Sequence, residues 1–158
     1  MNTKDKINQH NWFCNGKLRE EYRIAIANKL PHLKMLVLFG SHARGDNYKN
    51  SDWDFAARLD ADRQKEHSQH NTFGWLEVSS ILEDILNLHD TEIDIVELNK
   101  ASELMAHLVA RDGILIYEDE PGQFKRFCEY SLKTEEELKE MRSGMRKKIE
   151  HSLQRKGV

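Results

Sequence analysis

Two carboxylates one residue apart, Asp52 and Asp54, follow a Gly-Ser pair, and ten residues separate Ser41 from Asp52. The alternation of apolar and other residues from Asp52 to Leu59 predicts a strand, so both carboxylates leave the same face of it. Carboxylates held a few Å apart repel each other unless a cation neutralises them. This pattern predicts a hard divalent cation, Mg²⁺ above all, with oxygen ligands.

A third carboxylate, Asp94, lies within the apolar segment Glu92-Ile93-Asp94-Ile95-Val96. A charge inside an apolar strand is costly unless it is paired or binds a metal, so Asp94 is the candidate to complete a two-metal site. Taken singly, the features have plainer explanations. An Asp-x-Asp pair is common at solvated strand ends, and Asp94 could pair with a lysine. Their conjunction with the Gly-Ser turn favours the metal site.

The Gly-Ser pair itself directly follows an apolar run, Met35 to Phe39. Gly40 allows the backbone to approach a ligand closely, and Ser41 adds a hydroxyl and a backbone N–H that could hold a terminal phosphate. Arg44 is placed to support a phosphate or to pair with a carboxylate, and both roles stay open. Gly40, Ser41 and Arg44 are therefore the candidate nucleotide-binding residues.

The bulk composition narrows the class of protein. The chain has 158 residues, of which 32% are charged, and a net charge of -3, so nucleic-acid binding is not expected except to operator DNA as part of a complex. Cys14 and Cys128 have no metal-like or disulfide-like spacing and are expected to be reduced thiols. No apolar run approaches the ~20 residues of a membrane span, and no signal core is present. We expect a soluble, cytoplasmic protein.

The elements that must position these residues follow the order α-β-β-α-β-α-β-α-α, which predicts an α/β (α+β) fold with a C-terminal helical tail. The predicted division is a domain at residues 1–120 and a helical extension at 121–158. The first dozen residues are expected to be loosely ordered, and residues 60–71 to form a loop. The predicted helices cover about 17–30, 75–86 and 101–110, with terminal helices over about 123–155, and the predicted strands 34–39, 52–59, 92–98 and 114–117.

The terminal helix should begin with a capping box at Thr134 to Glu137. It carries a narrow apolar stripe, formed by Leu138, Met141, Met145 and Ile149. An amphipathic helix must bury its apolar face somewhere. The stripe could therefore dock a partner, pair with a second copy or pack back on its own domain, and the sequence leaves these alternatives open.

Gly40-Ser41, ten residues, then Asp52-Trp53-Asp54 resembles the signature of the DNA polymerase β-type nucleotidyltransferase superfamily. The short chain resembles its minimal nucleotidyltransferase (MNT) branch, in particular the MntA-like antitoxins of HEPN/MNT (type VII) toxin–antitoxin pairs, over about residues 33–117. The resemblance implies a nucleotidyltransferase fold, a small mixed sheet backed by helices.

The same resemblance implies roles for individual residues. Asp52 and Asp54 would bind two Mg²⁺ ions, and Asp94 would bind one of them and help to activate the attacking hydroxyl. Gly40 and Ser41 would hold the triphosphate of ATP. The acceptor would be a tyrosine of a partner HEPN ribonuclease toxin, which AMP transfer inactivates, so that the chain would be a protein adenylyltransferase.

Two other functions stay open from the sequence. One is a nucleotidyltransferase with a small-molecule acceptor such as an aminoglycoside, although no acceptor domain is evident. The other is a non-catalytic antitoxin that binds its toxin, or with it an operator. The intact carboxylates argue against an inactive site.

Overall fold

A computed structural model of the chain describes residues 10–60, 62, 74–88 and 93–157. The first five strands and helices are β1 (Phe13–Cys14), β2 (Lys17–Leu18), α1 (Glu20–Lys29), β3 (Leu33–Phe39) and α2 (Gly40–Arg44). The others are β4 (Trp53–Leu59), α3 (Gly74–Leu86), β5 (Ile93–Glu97), α4 (Glu103–Asp112), β6 (Ile114–Glu118), α5 (Gln123–Ser131) and α6 (Glu135–Arg155). Within the described residues, no helix is both long and apolar enough to cross a membrane.

A four-stranded mixed sheet in the order β5-β4-β3-β6 forms the centre of the fold. Strand β3 is antiparallel to both β4 and β6, whereas β4 and β5 are parallel. The predicted fold class, a small mixed sheet backed by helices with a C-terminal helix, is therefore confirmed. Strands β5 and β6 lie at the two edges of the sheet.

Helices cover both faces of the sheet. Successive residues of β3 and β4 point to opposite faces, so their side chains belong to two separate hydrophobic cores. On one face the strands pack against α1 and α3, through Leu36, Leu38, Phe55, Ile26 and Leu82 among others. On the other face they pack against α4 and α5, through Met35, Val37, Ala56, Val109 and Phe127 among others. Burying each large apolar side chain contributes roughly 1.5–3 kcal/mol. Ala56 lies on this second face, and Asp54, two residues earlier on β4, shares it, as the alternation predicted.

The N-terminal segment differs from the prediction. The helix expected from Lys17 begins only at Glu20, because β1 and β2 form a hairpin before it. Its two-residue turn is Asn15-Gly16, with φ of 52° and 78°, which is the residue pair that such turns favour. Trp12 is 2% exposed, so the expectation of a loosely ordered start is wrong from there. Residues 1–9, and most of the loop predicted at 60–71, lie outside the described residues.

The C-terminal helices are attached through specific contacts. Phe127 of α5 is buried in the second core. The buried His107 of α4 accepts a hydrogen bond at Nδ1 from the Lys133 backbone N–H, at 3.0 Å. The capping box at the start of α6 is confirmed, with Thr134 and Glu137 each bonded to the other's backbone N–H. The division at residue 120 stays a prediction.

Beyond its first turn, α6 extends away from the domain. Leu138 is buried, but Met145 is 42% and Ile149 61% exposed. The alternative in which the whole apolar stripe packs back on its own domain is therefore wrong for the distal part. A helix of this length spans about 30 Å.

Candidate active site

The Gly-Ser pair begins the five-residue helix α2 directly at the end of β3, rather than forming a simple turn. Gly40 has φ +72°, a left-handed conformation that side chains other than glycine's rarely adopt. A Cβ on Gly40 would lie 3.0 Å from Cγ and 3.2 Å from Cβ of Asp54, closer than normal contact. The Asp54 carboxylate therefore packs directly against the Gly40 backbone, in the space that a Cβ would occupy, and only glycine permits this contact.

The strand register brings the carboxylates together. Asp54 is paired with Phe39 on β3 and with Asp94 on β5. Neighbouring strands are about 4.8 Å apart, so the two aspartates are adjacent. Burial raises the pKa of the Asp54 carboxyl, and the negative charges of Asp94 and Asp52 raise it further, while His42 and Arg44 act in the opposite direction.

Asp94 differs from its predicted environment. It is the second residue of β5, an edge strand, and its side chain is exposed, so the cost of a buried charge is not what explains it. Asp52 is also exposed and directly precedes β4. Of the three carboxylates, that of Asp54 is partly buried, and those of Asp52 and Asp94 are exposed.

These residues fit Mg²⁺ in chemistry and in backbone placement. All three donors are carboxylate oxygens, and their mutual repulsion on Asp54 is what a divalent cation would relieve. In the described part of the chain, no three His, Cys, Asp or Glu side chains already converge as a metal cage. Because Asp52 and Asp94 are exposed, their side chains can rotate toward Asp54 without any change in strand register.

Arg44 has a structural partner. Its Nε lies 3.2 Å from Oδ2 of Asp46, and both side chains are largely exposed. An exposed ion pair of this kind contributes at most about 1 kcal/mol. Gly45, with φ +81°, ends α2 and donates its N–H to the Ser41 carbonyl at 2.8 Å.

One residue that the sequence did not single out also belongs to this region. His42 Nε2 lies 3.0 Å from the Ser51 carbonyl oxygen, and its ring stacks on Trp53 with the centroids 3.8 Å apart. The available signal was its position beside Ser41, within the Gly-Ser signature. Its contacts depend on how the loop returns, which no spacing rule predicts.

Comparison with known proteins agrees with this geometry. Residues 21–121 match the family described as polymerase beta, nucleotidyltransferase. The chain is 41% identical over 138 residues to protein adenylyltransferase MntA of Aphanizomenon flos-aquae (strain 2012/KM1/D3), which covers 87% of this chain and 92% of that protein.

Solved structures share the fold. A toxin–antitoxin complex with AMP-PNP contains a chain that is 20% identical, with a TM-score of 0.56. A mutant of the toxin–antitoxin pair MntA–HpeT contains one that is 19% identical, with a TM-score of 0.56. Each alignment covers 84% of this chain and 98% of the other. The chain belongs to the polymerase β-type nucleotidyltransferase family and, within it, to the MntA protein adenylyltransferases.

Proposed function

We propose that this chain transfers AMP from ATP to a tyrosine of a cognate HEPN ribonuclease toxin, and so acts in the cytoplasm as the antitoxin of that toxin. The observation that carries the proposal is the contact between Gly40 and the Asp54 carboxylate, beside Asp94. It joins a backbone position suited to phosphate and a carboxylate group suited to Mg²⁺ in a single site. The MntA relative and the AMP-PNP complex support ATP as the substrate.

The transfer is a displacement at the α-phosphorus of ATP. The tyrosine Oη forms a bond to that phosphorus, the bond to the leaving pyrophosphate breaks, and the phenolic proton is lost. Asp52 and Asp54 would hold two Mg²⁺ ions and Asp94 one of them. The bound ions would make the hydroxyl more acidic and offset the charge on the phosphates.

The remaining work of the protein is alignment. Gly40 lets the backbone come close to the triphosphate, and Ser41 presents its hydroxyl and N–H there. Asp94, exposed at the edge of the sheet, would face an incoming hydroxyl and help to activate it. Arg44 would add a positive charge near the phosphates.

A protein acceptor fits the architecture better than a small molecule. Beyond the sheet and its covering helices, the described residues add the short β1–β2 hairpin, the five-residue helix α2 and the distal part of α6, which form no second domain. The exposed end of α6 is available for contact with a partner. A second domain is where an aminoglycoside-type acceptor would be expected to bind.

The test combines the purified chain with the HEPN-type protein encoded beside it, Mg²⁺ and ATP labelled on the α-phosphate. Peptide mass spectrometry should find AMP on a tyrosine of that partner. Asp54→Asn, and separately chelation of Mg²⁺, should abolish labelling, whereas Asp119→Asn, a carboxylate beside Lys34 at the opposite end of β3 from Gly40, should not. A tight complex without label would refute the transferase proposal in favour of antitoxin action by binding alone. Label on an aminoglycoside rather than on protein would also contradict it.

A further inference from the structure

The two halves of the site are joined by a loop without helix or strand, residues 45–52. The loop has internal bonds at its far end, where the Tyr48 N–H donates to Ser51 Oγ at 2.8 Å and the Ser51 N–H donates to the Tyr48 carbonyl at 3.1 Å. These bonds do not attach the far end of the loop to α2. The near end is attached, because the Asp46 N–H donates to the Ser41 carbonyl at 3.1 Å and Arg44 pairs with Asp46. The position of the far end, next to Asp52, therefore needs a further contact.

His42 supplies that contact. Its Nε2 lies 3.0 Å from the Ser51 carbonyl oxygen, and because a carbonyl can only accept, Nε2 carries the hydrogen. His42 follows Ser41 directly, and Ser51 directly precedes Asp52. One side-chain hydrogen bond thus links the phosphate-binding half of the site to the first carboxylate of the metal-binding half.

Stacking on Trp53 holds the ring of His42 in the orientation that this hydrogen bond requires. It lies nearly parallel to Trp53, with an interplanar angle of 12° and the centroids 3.8 Å apart. Trp53 is 3% exposed and packs edge-on against Trp12 and His10. Since Trp53 stands between Asp52 and Asp54 but faces the opposite core, the stack fixes His42 without occupying the carboxylate face.

We propose that His42 is a positioning residue for nucleotidyl transfer: its bond to Ser51 holds Asp52 at a fixed distance from Gly40-Ser41, so that metal and triphosphate bind in one geometry. The inference rests on the proposed function. Residues that orient metal ligands typically affect metal affinity or activity about 10–100-fold when they are removed.

The test compares three variants. His42→Phe keeps a flat ring for Trp53 but loses the donor, whereas His42→Gln restores an amide N–H at similar reach. His10→Phe changes another ring against Trp53 and leaves the bond to Ser51 intact. Three properties are measured: the thermal midpoint, the Mg²⁺ concentration that half-saturates binding of an ATP analogue, and AMP transfer.

For His42→Phe we expect a midpoint close to that of the original chain, and a half-saturating Mg²⁺ concentration raised about 10–100-fold with a matching fall in transfer. His42→Gln should recover most of the loss, and His10→Phe should show none. Hydrogen exchange at residues 45–52 should be about five- to tenfold faster in His42→Phe, as expected for loss of one hydrogen bond, whether or not nucleotide is present.

The outcomes separate the two proposals. Unchanged loop exchange and unchanged Mg²⁺ dependence in His42→Phe would overturn the positioning role, while AMP transfer by the original chain would still stand. An equal loss in His42→Phe and His42→Gln, accompanied by a lower thermal midpoint, would reduce His42 to a packing residue. If the original chain binds no ATP analogue with Mg²⁺, the proposed function fails and the catalytic consequence of the bond fails with it, even where loop exchange responds as expected.

Discussion

Replacing Gly40 with alanine tests whether the phosphate-binding turn and the metal-binding carboxylate occupy one space. Two costs are expected. The first is conformational: φ +72° disfavours any residue with a Cβ, by about 1–2 kcal/mol. In a domain of this size that lowers the thermal midpoint by about 2–8 °C. The second is steric, because the new Cβ would lie 3.0 Å from Cγ of Asp54 and push that side chain away.

The steric cost should appear mainly in activity. A displacement of about 1 Å in a reacting group can reduce the rate about 100-fold, so AMP transfer by Gly40→Ala should fall by at least that much. Gly16→Ala is the matched control: its φ is +78°, but no atom lies within 4 Å of the added Cβ. It should show the loss in thermal midpoint and keep full activity.

A double variant isolates the contact between the two residues. In an Asp54→Ala background the carboxylate is absent and only the 3.2 Å contact with the Asp54 Cβ remains. The stability cost of Gly40→Ala should then approach that of Gly16→Ala. The reasoning is refuted if Gly40→Ala and Gly16→Ala, each in the original chain, match in both thermal midpoint and AMP transfer.

The remaining predictions concern stability. The pKa of Asp54 is raised by burial and by Asp94 and Asp52, so its charged form destabilises the fold, and that penalty appears as the pH rises through the raised pKa. In the absence of metal, Asp54→Asn should therefore raise the thermal midpoint at neutral pH and have little effect below the usual Asp pKa. In the presence of Mg²⁺, the variant should no longer be stabilised by the ion. A lower midpoint at neutral pH without metal would contradict this reasoning. Thr134→Ala should cost about 1 kcal/mol and reduce helicity in circular dichroism, whereas Thr134→Ser should not. His107→Leu leaves the partly buried Lys133 N–H without its acceptor and should cost about 1–3 kcal/mol in denaturant unfolding, and an unchanged midpoint would show that another acceptor replaces it.

Much of the central sheet was predictable because alternation fixes which face each residue occupies. Asp54 was assigned to the face of Ala56 by that rule alone, and the structure agrees, with Asp52 close enough to raise the pKa of Asp54. The capping box at Thr134 was predictable because it depends on residues only three apart. These features share a property: their geometry is determined by the local chain.

Features that depend on distant parts of the chain were missed or misjudged. The environment of Asp94 follows from β5 lying at the edge of the sheet, which its own apolar neighbours do not reveal. The contact of His42 with Ser51 requires the loop to return beneath it. The hairpin at Asn15-Gly16 was a different kind of error, since its turn signal is local but the helical spacing that follows it obscured the boundary.

The register of Asp54 with Asp94 has a consequence for folding. The pairing of β3 with β4 closes only a short loop, so it can form early, whereas parallel β5 must return across the α3 crossover before Asp94 reaches its neighbours. A cation that binds all three carboxylates binds only after that last pairing is made. By mass action, the bound cation then stabilises the pairing of the edge strand β5 with β4. The substrate complex is therefore expected to be the form in which β5 is most stably paired.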